Sequence, residues 1–493
     1  MKTISLKGAS WDSVFLSFSK VLTLLLSILS TKILSTGLSL EDYGTYSQAN
    51  LVVTVGTSII LLGMPDALNF YFNSRNGETS DRVRFKIINT VFFIEIILGL
   101  LFTLAVILGQ DLIAAYFSNP AVKYLLPIAA VLPLFANVIY FYQIMYVAVG
   151  RAKLMAVYSL TLTVVRIVAV YLSVYILKNL VWIYAAILCM DFLQVSIYHI
   201  ELRKRNIRIN PFRISVKHIR PIIAYGLPMG IYAITNSFTR DLDKLIIGRL
   251  GGTEQLAIYT NCSKILPLDF FVTSFAMVLI PYIYRRVSEG RREESVELFS
   301  NYLKVGYYTV WTLGTMVLIA PDSMISFLYS DVYVSGRIVF ILYILDSMLR
   351  FASVHLILTA AGKSKKVMFY SILSLGLNLV LNISFYYIWG MIGPAIATVI
   401  VAIVYTLLIL QDTIKVIKAK WTEVFHVKEI AVFLASLIVM RFAATLLDKL
   451  LNYVGLHQYI SMFLSMAVFG VAILLLHFKK IIRVFKKINS FKL

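Results

Sequence analysis

Apolar runs long enough to cross a bilayer recur fourteen times along the chain, separated by short and mostly basic loops. A membrane-spanning helix needs about 20 apolar residues at a rise of about 1.5 Å each. The runs lie at 12–36, 43–71, 87–109, 122–148, 154–177, 180–200, 219–247, 254–284, 299–320, 336–360, 367–388, 391–414, 429–449 and 457–478. They are too long for the strands of an outer-membrane barrel, which would also alternate with period two. A helix satisfies its own backbone in lipid, so the sequence reads as an all-α polytopic membrane protein with about 14 transmembrane helices. Composition agrees: 59% of the 493 residues are hydrophobic and 14% are charged. The run that begins at Val14 lacks a clear small-residue cleavage site and reads as the first span, not a removable signal. Cys189 and Cys262 both lie in apolar runs and read as small core residues.

The 46 Lys and Arg against 25 Asp and Glu give a net charge of +21. In a soluble protein that excess would suggest nucleic acid. Here its distribution argues for a membrane instead. Sorted by the alternating sides of fourteen spans, 32 basic residues fall on one side and 5 on the other. The positive-inside rule then puts both termini, and the basic loop 201–218, in the cytoplasm. No loop is long enough to fold as a soluble domain. The phosphate-binding pattern G-x-x-x-x-G-K-[ST] is missing, which speaks against ATP-driven transport. Nor is there a large external loop to carry a catalytic site, so the chain does not read as an enzyme.

Two short matches reveal an internal repeat. Glu41-Asp-Tyr-Gly-Thr-Tyr46-Ser47 opens span 2, and Glu254-Gln-Leu-Ala-Ile-Tyr259-Thr260 opens span 8, at an offset of 213. Gly150-Arg-Ala-Lys153 with Tyr158-Ser159 opens span 5, and Gly362-Lys-Ser-Lys365 with Tyr370-Ser371 opens span 11, at an offset of 212. Two matches at nearly one offset are far stronger than either alone. The offset equals six spans, an even number, so the repeat is parallel about an axis along the membrane normal. The expected organisation is an N-lobe over 1–201, a basic linker over 202–218, a C-lobe over 219–415, spans 13 and 14 over 429–478 and a basic tail over 479–493. Paired six-helix lobes usually bracket a central cavity and rock against each other, which is the layout of a transporter.

Some basic residues lie within the spans, where an unpaired charge is expensive. Lys32, Lys304 and Arg441 are near span ends and can snorkel. Lys20 and Lys264 are near mid-membrane, in different lobes. With Arg166 and Arg350 they are candidates for binding an anionic substrate in a cavity. The competing reading is pairing with carboxylates: Asp269 for Lys264, and Asp66, Glu95, Asp191 or Asp346 for the arginines. Arg240, Asp241, Asp243 and Lys244 crowd the outer end of span 7. They read either as a self-neutralised cluster at i, i+3 spacing or as an outer gate. Asn378 and Asn382 share one face of span 11, and Thr398 follows Gly393-Pro394 in span 12. Their oxygens suit a hard cation such as Na⁺, and equally suit hydrogen bonding between helices.

Three stretches carry a family resemblance: Leu40-Glu-Asp-Tyr-Gly-Thr-Tyr-Ser-Gln-Ala-Asn50, then Asp243-Lys-Leu-Ile-Ile-Gly-Arg-Leu-Gly251 running into Ala257-Ile-Tyr259, and Ala361-Gly-Lys with Asn378-Leu-Val-Leu-Asn382 and Gly393-Pro-Ala-Ile-Ala-Thr398. Together they resemble the multidrug/oligosaccharidyl-lipid/polysaccharide exporter superfamily, and within it the oligosaccharide-lipid flippase branch. The resemblance implies a multi-pass protein of the bacterial inner membrane. It would flip undecaprenyl-pyrophosphate-linked oligosaccharide repeat units from the cytoplasmic to the periplasmic leaflet by alternating access, for O-antigen, capsule or exopolysaccharide assembly. It implies coupling to Na⁺ or H⁺ and work alongside membrane lipids, a polymerase and glycosyltransferases, with no nucleic acid. In the related lipid II flippases a cation site joins spans 7, 11 and 12. Asn378 and Thr398 match its oxygen ligands, while Asn382 stands where a carboxylate is expected. Asp241 or Asp243 would then have to supply the charge. A drug/cation antiporter of the same fold is the alternative. It would need an acidic, aromatic cavity, whereas the mid-span excess here is basic.

Overall fold

The structure, a computed structural model, describes residues 6–490 apart from 66, 69–80, 206, 208, 265, 267, 269 and 354. The described residues are helical with no strand, and the helices follow the expected spans in order. Nine of them are long and apolar enough to cross a membrane, and a pair bent by 83°, Arg292–Val317 and Pro321–Leu328, would make a tenth. The chain divides into two compact units, Met1–Ala257 and Ile258–Leu493. This division differs from the expected linker at 202–218. The seventh span lies in the first unit, because it packs along the helices of that unit.

The first unit holds α1 (Leu6–Gly37), α2 (Leu40–Leu61), α3 (Asp81–Leu108), α4 (Gln110–Phe117), α5 (Val122–Ala129), α6 (Leu132–Ala148), α7 (Ala152–Leu172), α8 (Leu180–Lys204) and α9 (Val216–Leu250). Its core has two layers. One gathers Ile88, Val91, Phe141, Tyr142, Tyr146 and Tyr198 near the basic end, and the other gathers Ala49, Val122, Leu126, Ala129 and Tyr184 near the opposite end. Helix α9 lies along α2. Ser58 Oγ donates to Ser237 Oγ at 2.7 Å, and Gln48 Nε2 donates to the Gly248 carbonyl at 3.4 Å. Farther along, α2 ends in a left-handed pair, Leu62 and Gly63 (φ 36° and 70°). A Cβ on Gly230 of α9 would come within 2.5 Å of the Leu62 backbone, so the spacing Gly226-x-x-x-Gly230 permits backbone contact there.

The second unit begins within α10 (Gly252–Cys262). It continues with α11 (Phe270–Ser288), α12 (Arg292–Gly306), a π turn at Tyr307–Trp311, α13 (Thr312–Val317) and α14 (Pro321–Leu328). A 3-10 turn at Asp331–Gly336 leads into α15 (Arg337–Arg350) and α16 (Leu356–Ala360). Then come α17 (Ser364–Trp389), α18 (Ile392–Val416), α19 (Trp421–Val424), α20 (Val427–Tyr453) and α21 (Gln458–Ser490). The long helices pair as the antiparallel hairpins α17–α18 and α20–α21. Only 17% of the apolar window of α20 is buried, which leaves most of its surface to lipid.

The repeated motifs have a structural meaning. In the first unit Asn119 Nδ2 donates to Gln48 Oε1 at 2.7 Å and to Thr45 Oγ1 at 2.9 Å, and Tyr46 packs on Tyr184 at 5.3 Å. In the second unit Cys262 Sγ donates to the Tyr333 carbonyl at 3.4 Å, and Tyr259 packs on Tyr343 at 6.0 Å. Each repeat thus uses a tyrosine to pack a helix and a polar atom two or three residues later to tie in a loop about 70 residues on. Gly44, between the matched Glu and Tyr, is glycine for close approach: a Cβ there would lie 2.1 Å from the Thr253 carbonyl oxygen.

Candidate functional site

Each unit carries an arginine held by a buried carboxylate: Arg166 lies within its helix, and Arg350 is the last residue of α15, where the expected span 336–360 breaks. In the first, Arg166 of α7 is ion-paired with Asp191 of α8. Its Nη2 also reaches Gln194 Oε1 at 3.5 Å, and Gln194 donates onward to the Tyr198 hydroxyl at 3.1 Å. In the second, Arg350 Nε donates to Asp346 Oδ2 at 2.8 Å, one helical turn back on α15. Asp191 and Asp346 are buried, while about a third of each arginine side chain stays exposed (31% and 33%). This asymmetry matters. The carboxylate offsets the charge of the arginine, and part of the guanidinium stays exposed. The structure thus selects Asp191 and Asp346 from the four expected carboxylates. Glu95 is buried in α3, and its Oε2 has no hydrogen-bond partner among the described residues. Asp66 lies outside the described residues.

The two candidate lysines stand differently. Lys20 lies on α1, and its side chain is outside the described residues. Lys264 was expected ten residues into an unbroken span 8. Instead α10 ends at Cys262 and α11 starts at Phe270, so Lys264 lies in a helix break, half-buried, with its N–H on the Asn261 carbonyl at 3.2 Å. Pro267 in the sequence gives the reason, since proline lacks the N–H and disfavours helix in the residue before it. Asp269, its expected partner, lies outside the described residues.

Near the end of α9, Lys244 Nζ stands 2.9 Å from Asp241 Oδ1 and 3.9 Å from Asp243 Oδ1, and donates to the Arg240 carbonyl at 3.1 Å. Asp243 is buried and Arg240 is exposed. One turn on, Arg249 Nη1 donates to the carbonyls of Ala115 and Tyr116, both at 2.8 Å, and to Ser118 Oγ at 2.7 Å. Arg249 therefore caps the last carbonyls of α4 and fastens that short helix to α9.

On the α17–α18 hairpin, Asn382 Nδ2 donates to Asn378 Oδ1, and both side chains are buried. Thr398 Oγ1 donates to the Pro394 carbonyl at 3.0 Å on its own helix. Asn382 Oδ1 has no partner among the described residues. These donors are neutral, and no group of three or more His, Cys, Asp or Glu side chains suited to a metal occurs among the described residues.

The sequence reading missed two polar clusters in the second unit. Asp412 of α18 is buried and accepts from Lys366 Nζ and from the Tyr370 hydroxyl, both at 2.9 Å. Glu429 of α20 pairs with Lys304 at 3.0 Å and accepts from the Tyr308 hydroxyl at 2.9 Å. Lys304 is therefore a paired residue and not a snorkelling one. Arg441 likewise caps a carbonyl, that of Leu318, at 3.1 Å. A lone acid in an apolar run was the available signal for Asp412.

A family model described as "Polysaccharide biosynthesis protein" matches residues 33–336. The chain belongs to this family. Among solved structures it is similar to "Lipid II flippase MurJ, inward closed conformation", with TM-score 0.68 and 15% identity, over 96% of this chain and 99% of that one. It is also similar to an inward-facing "multidrug resistance MATE family transporter of the MOP superfamily", with TM-score 0.57 and 14% identity, over 80% of this chain and 95% of that one. The MATE transporter VcmN of Vibrio cholerae gives 0.54 and 14%, over 84% and 96%. At these identities the likeness is one of fold. Family and fold together place the chain in the MOP superfamily as a multi-pass membrane protein. Among curated proteins none matches it.

Proposed function

We propose that this protein flips undecaprenyl-pyrophosphate-linked oligosaccharide repeat units from the cytoplasmic to the periplasmic leaflet of a bacterial inner membrane, by alternating access and without covalent chemistry. The observation that carries this reading is the match to a polysaccharide biosynthesis family over 33–336, on a fold that follows a lipid II flippase over 96% of the chain. The MATE likenesses cover 80–84% of it, so the flippase layout accounts for more of the sequence than the drug-exporter layout does. The basic bias of the loops supports cytoplasmic termini.

The chemistry of the candidate residues in each unit fits the substrate class. A pyrophosphate needs cationic donors at membrane depth, and Arg166 and Arg350 each present part of a guanidinium held by a buried acid. Lys20 and Lys264 complete the proposed anion contacts, and Arg240 to Lys244 form the proposed outer gate. Na⁺ coupling through Asn378, Asn382 and Thr398 would rest on neutral oxygens, with charge supplied from elsewhere. H⁺ coupling is the other form of the proposal, and replacing Na⁺ in the transport buffer separates them. Deletion of the gene tests the function itself. Lipid-linked repeat units should accumulate in the cytoplasmic leaflet, while unchanged surface polysaccharide with increased drug sensitivity would favour an exporter.

A further inference from the structure

The second unit contains a cavity of about 370 Å³ whose lining is apolar throughout. The volume lies within the ~300–1,000 Å³ of ordinary small-molecule pockets. The π turn of span 9 helps to make it: the extra residue in that turn lets Leu303, Tyr307 and Trp311, each four apart, all line one wall. Trp311 is fixed there by its Nε1 donating to the Met348 carbonyl at 2.9 Å.

The connector between α18 and α20 runs across the cavity. Arg292 pins it through Nε to the Lys418 carbonyl and through Nη2 to Glu423 Oε2, both at 2.6 Å. Ser300 Oγ adds a bond of 2.9 Å to the Val424 carbonyl. So held, the stacked rings of Trp421 and Phe425 line the cavity. Leu407, Trp421 and Val427, also in the lining, are exposed, so the cavity opens onto the outside of the helices and is not a sealed void.

The cavity does not suit the sugar and pyrophosphate of the proposed substrate, because the hydroxyls of its lining Tyr307, Thr406 and Thr422 present no polar surface to it. It suits a hydrocarbon chain. Basic residues flank its lining in the chain: Lys418 and Lys420 precede the lining residue Trp421, Lys428 follows the lining residue Val427, and all three are exposed. The nearby acids Glu423 and Glu429 are already engaged by Arg292 and Lys304. An apolar slot whose lining segments are flanked by exposed lysines is complementary to a lipid with a negative headgroup.

We propose that this cavity holds an acyl chain of an anionic glycerophospholipid, with its headgroup phosphate at Lys418, Lys420 and Lys428. The site does not depend on which substrate is transported. Trp311 provides the test. In a full-length chain carrying Trp11→Phe, Trp182→Phe, Trp389→Phe and Trp421→Phe, Trp311 is the one indole left. The chain is reconstituted into vesicles containing phosphatidylglycerol or phosphatidylcholine brominated on the acyl chains. Brominated phosphatidylglycerol should half-quench Trp311 at a mole fraction at least about five-fold lower than brominated phosphatidylcholine does. The change Lys418→Ser, Lys420→Ser and Lys428→Ser should abolish that preference. Equal quenching by both lipids, or none by either, would overturn the proposal. So would recovery of fluorescence on adding a trace of undecaprenyl phosphate, which would give the cavity to a polyprenyl chain. If the single-tryptophan chain does not fold, native mass spectrometry of the unaltered protein decides the matter. Phosphatidylglycerol should be retained in preference to phosphatidylcholine, and the triple lysine variant should lose that preference; equal retention would overturn the proposal.

Discussion

Arg166 shows how a charge is kept at membrane depth without being cancelled. Asp191 takes one side of the guanidinium, Gln194 extends the network to Tyr198, and part of the arginine remains exposed. Removing one member of a buried pair leaves the other uncompensated, at about 3–5 kcal/mol when both are fully buried. With Arg166 a third exposed, Asp191→Asn should destabilise the protein by less, about 1–3 kcal/mol. Replacing both residues, as Arg166→Met with Asp191→Leu, should restore the thermal midpoint while transport stays lost. Recovery of transport along with stability would make the pair purely structural. The sequence could nominate both residues, since each is a lone charge in an apolar run. It could not pair them, because Arg166 had four carboxylates to choose from and only the placement of α7 beside α8 decides. Lys264 shows the converse: its depth was read from counting along a helix that the chain breaks before reaching it.

At the scale of elements, glycine and the connectors govern how closely helices meet. Gly44→Val would drive a side chain into the Thr253 carbonyl, and overpacking of this kind costs about 1–3 kcal/mol. Gly376→Ala on α17, where nothing lies within 4 Å of the added Cβ, should leave stability unchanged or raise it by up to about 1 kcal/mol. Thermal unfolding of the two purified variants checks the contrast, and equal losses would contradict it. The connector over residues 417–426 has its own pH signature. The Arg292 guanidinium holds the Glu423 carboxyl below its ordinary range, with help from the Lys420 N–H. A depressed carboxylate stabilises the fold at every pH above its unfolded value and loses that contribution as pH falls through the folded value. Exchange protection of the connector amides should therefore hold from about pH 7 to about pH 5 and fall in more acidic solution. Loss already near pH 6 would point to a histidine such as His426 instead. In Arg292→Gln the protection should be low at every pH. None of this clamp was visible in the sequence, because Arg292 and Glu423 are 131 residues apart.

For the whole molecule, the order of the spans and the repeat were legible because both are written in hydrophobic runs and in one recurring offset. The tyrosine-centred motifs at 46 and 259 each pack on a tyrosine of another helix of their unit, on Tyr184 and Tyr343, which are not counterparts under the repeat. The division of the chain was less legible: the basic linker at 202–218 looks like a boundary, yet the compact units part after Ala257, since α9 packs along α2. Membership of a polysaccharide biosynthesis family, on a fold shared with flippases and transporters, supports a lipid-linked flippase or transporter, and movement of a lipid-linked sugar is the proposal to be tested. The most direct test is flipping by the purified protein. The chain is reconstituted into vesicles whose lipid-linked repeat units carry an oxidisable sugar, and the external leaflet is challenged with impermeant periodate. Active protein should expose the whole pool to oxidation over time. Vesicles without protein, and vesicles with the Arg166→Met and Asp191→Leu variant, should lose only the outer half. Equal protection of the inner pool with and without the native protein would contradict the account.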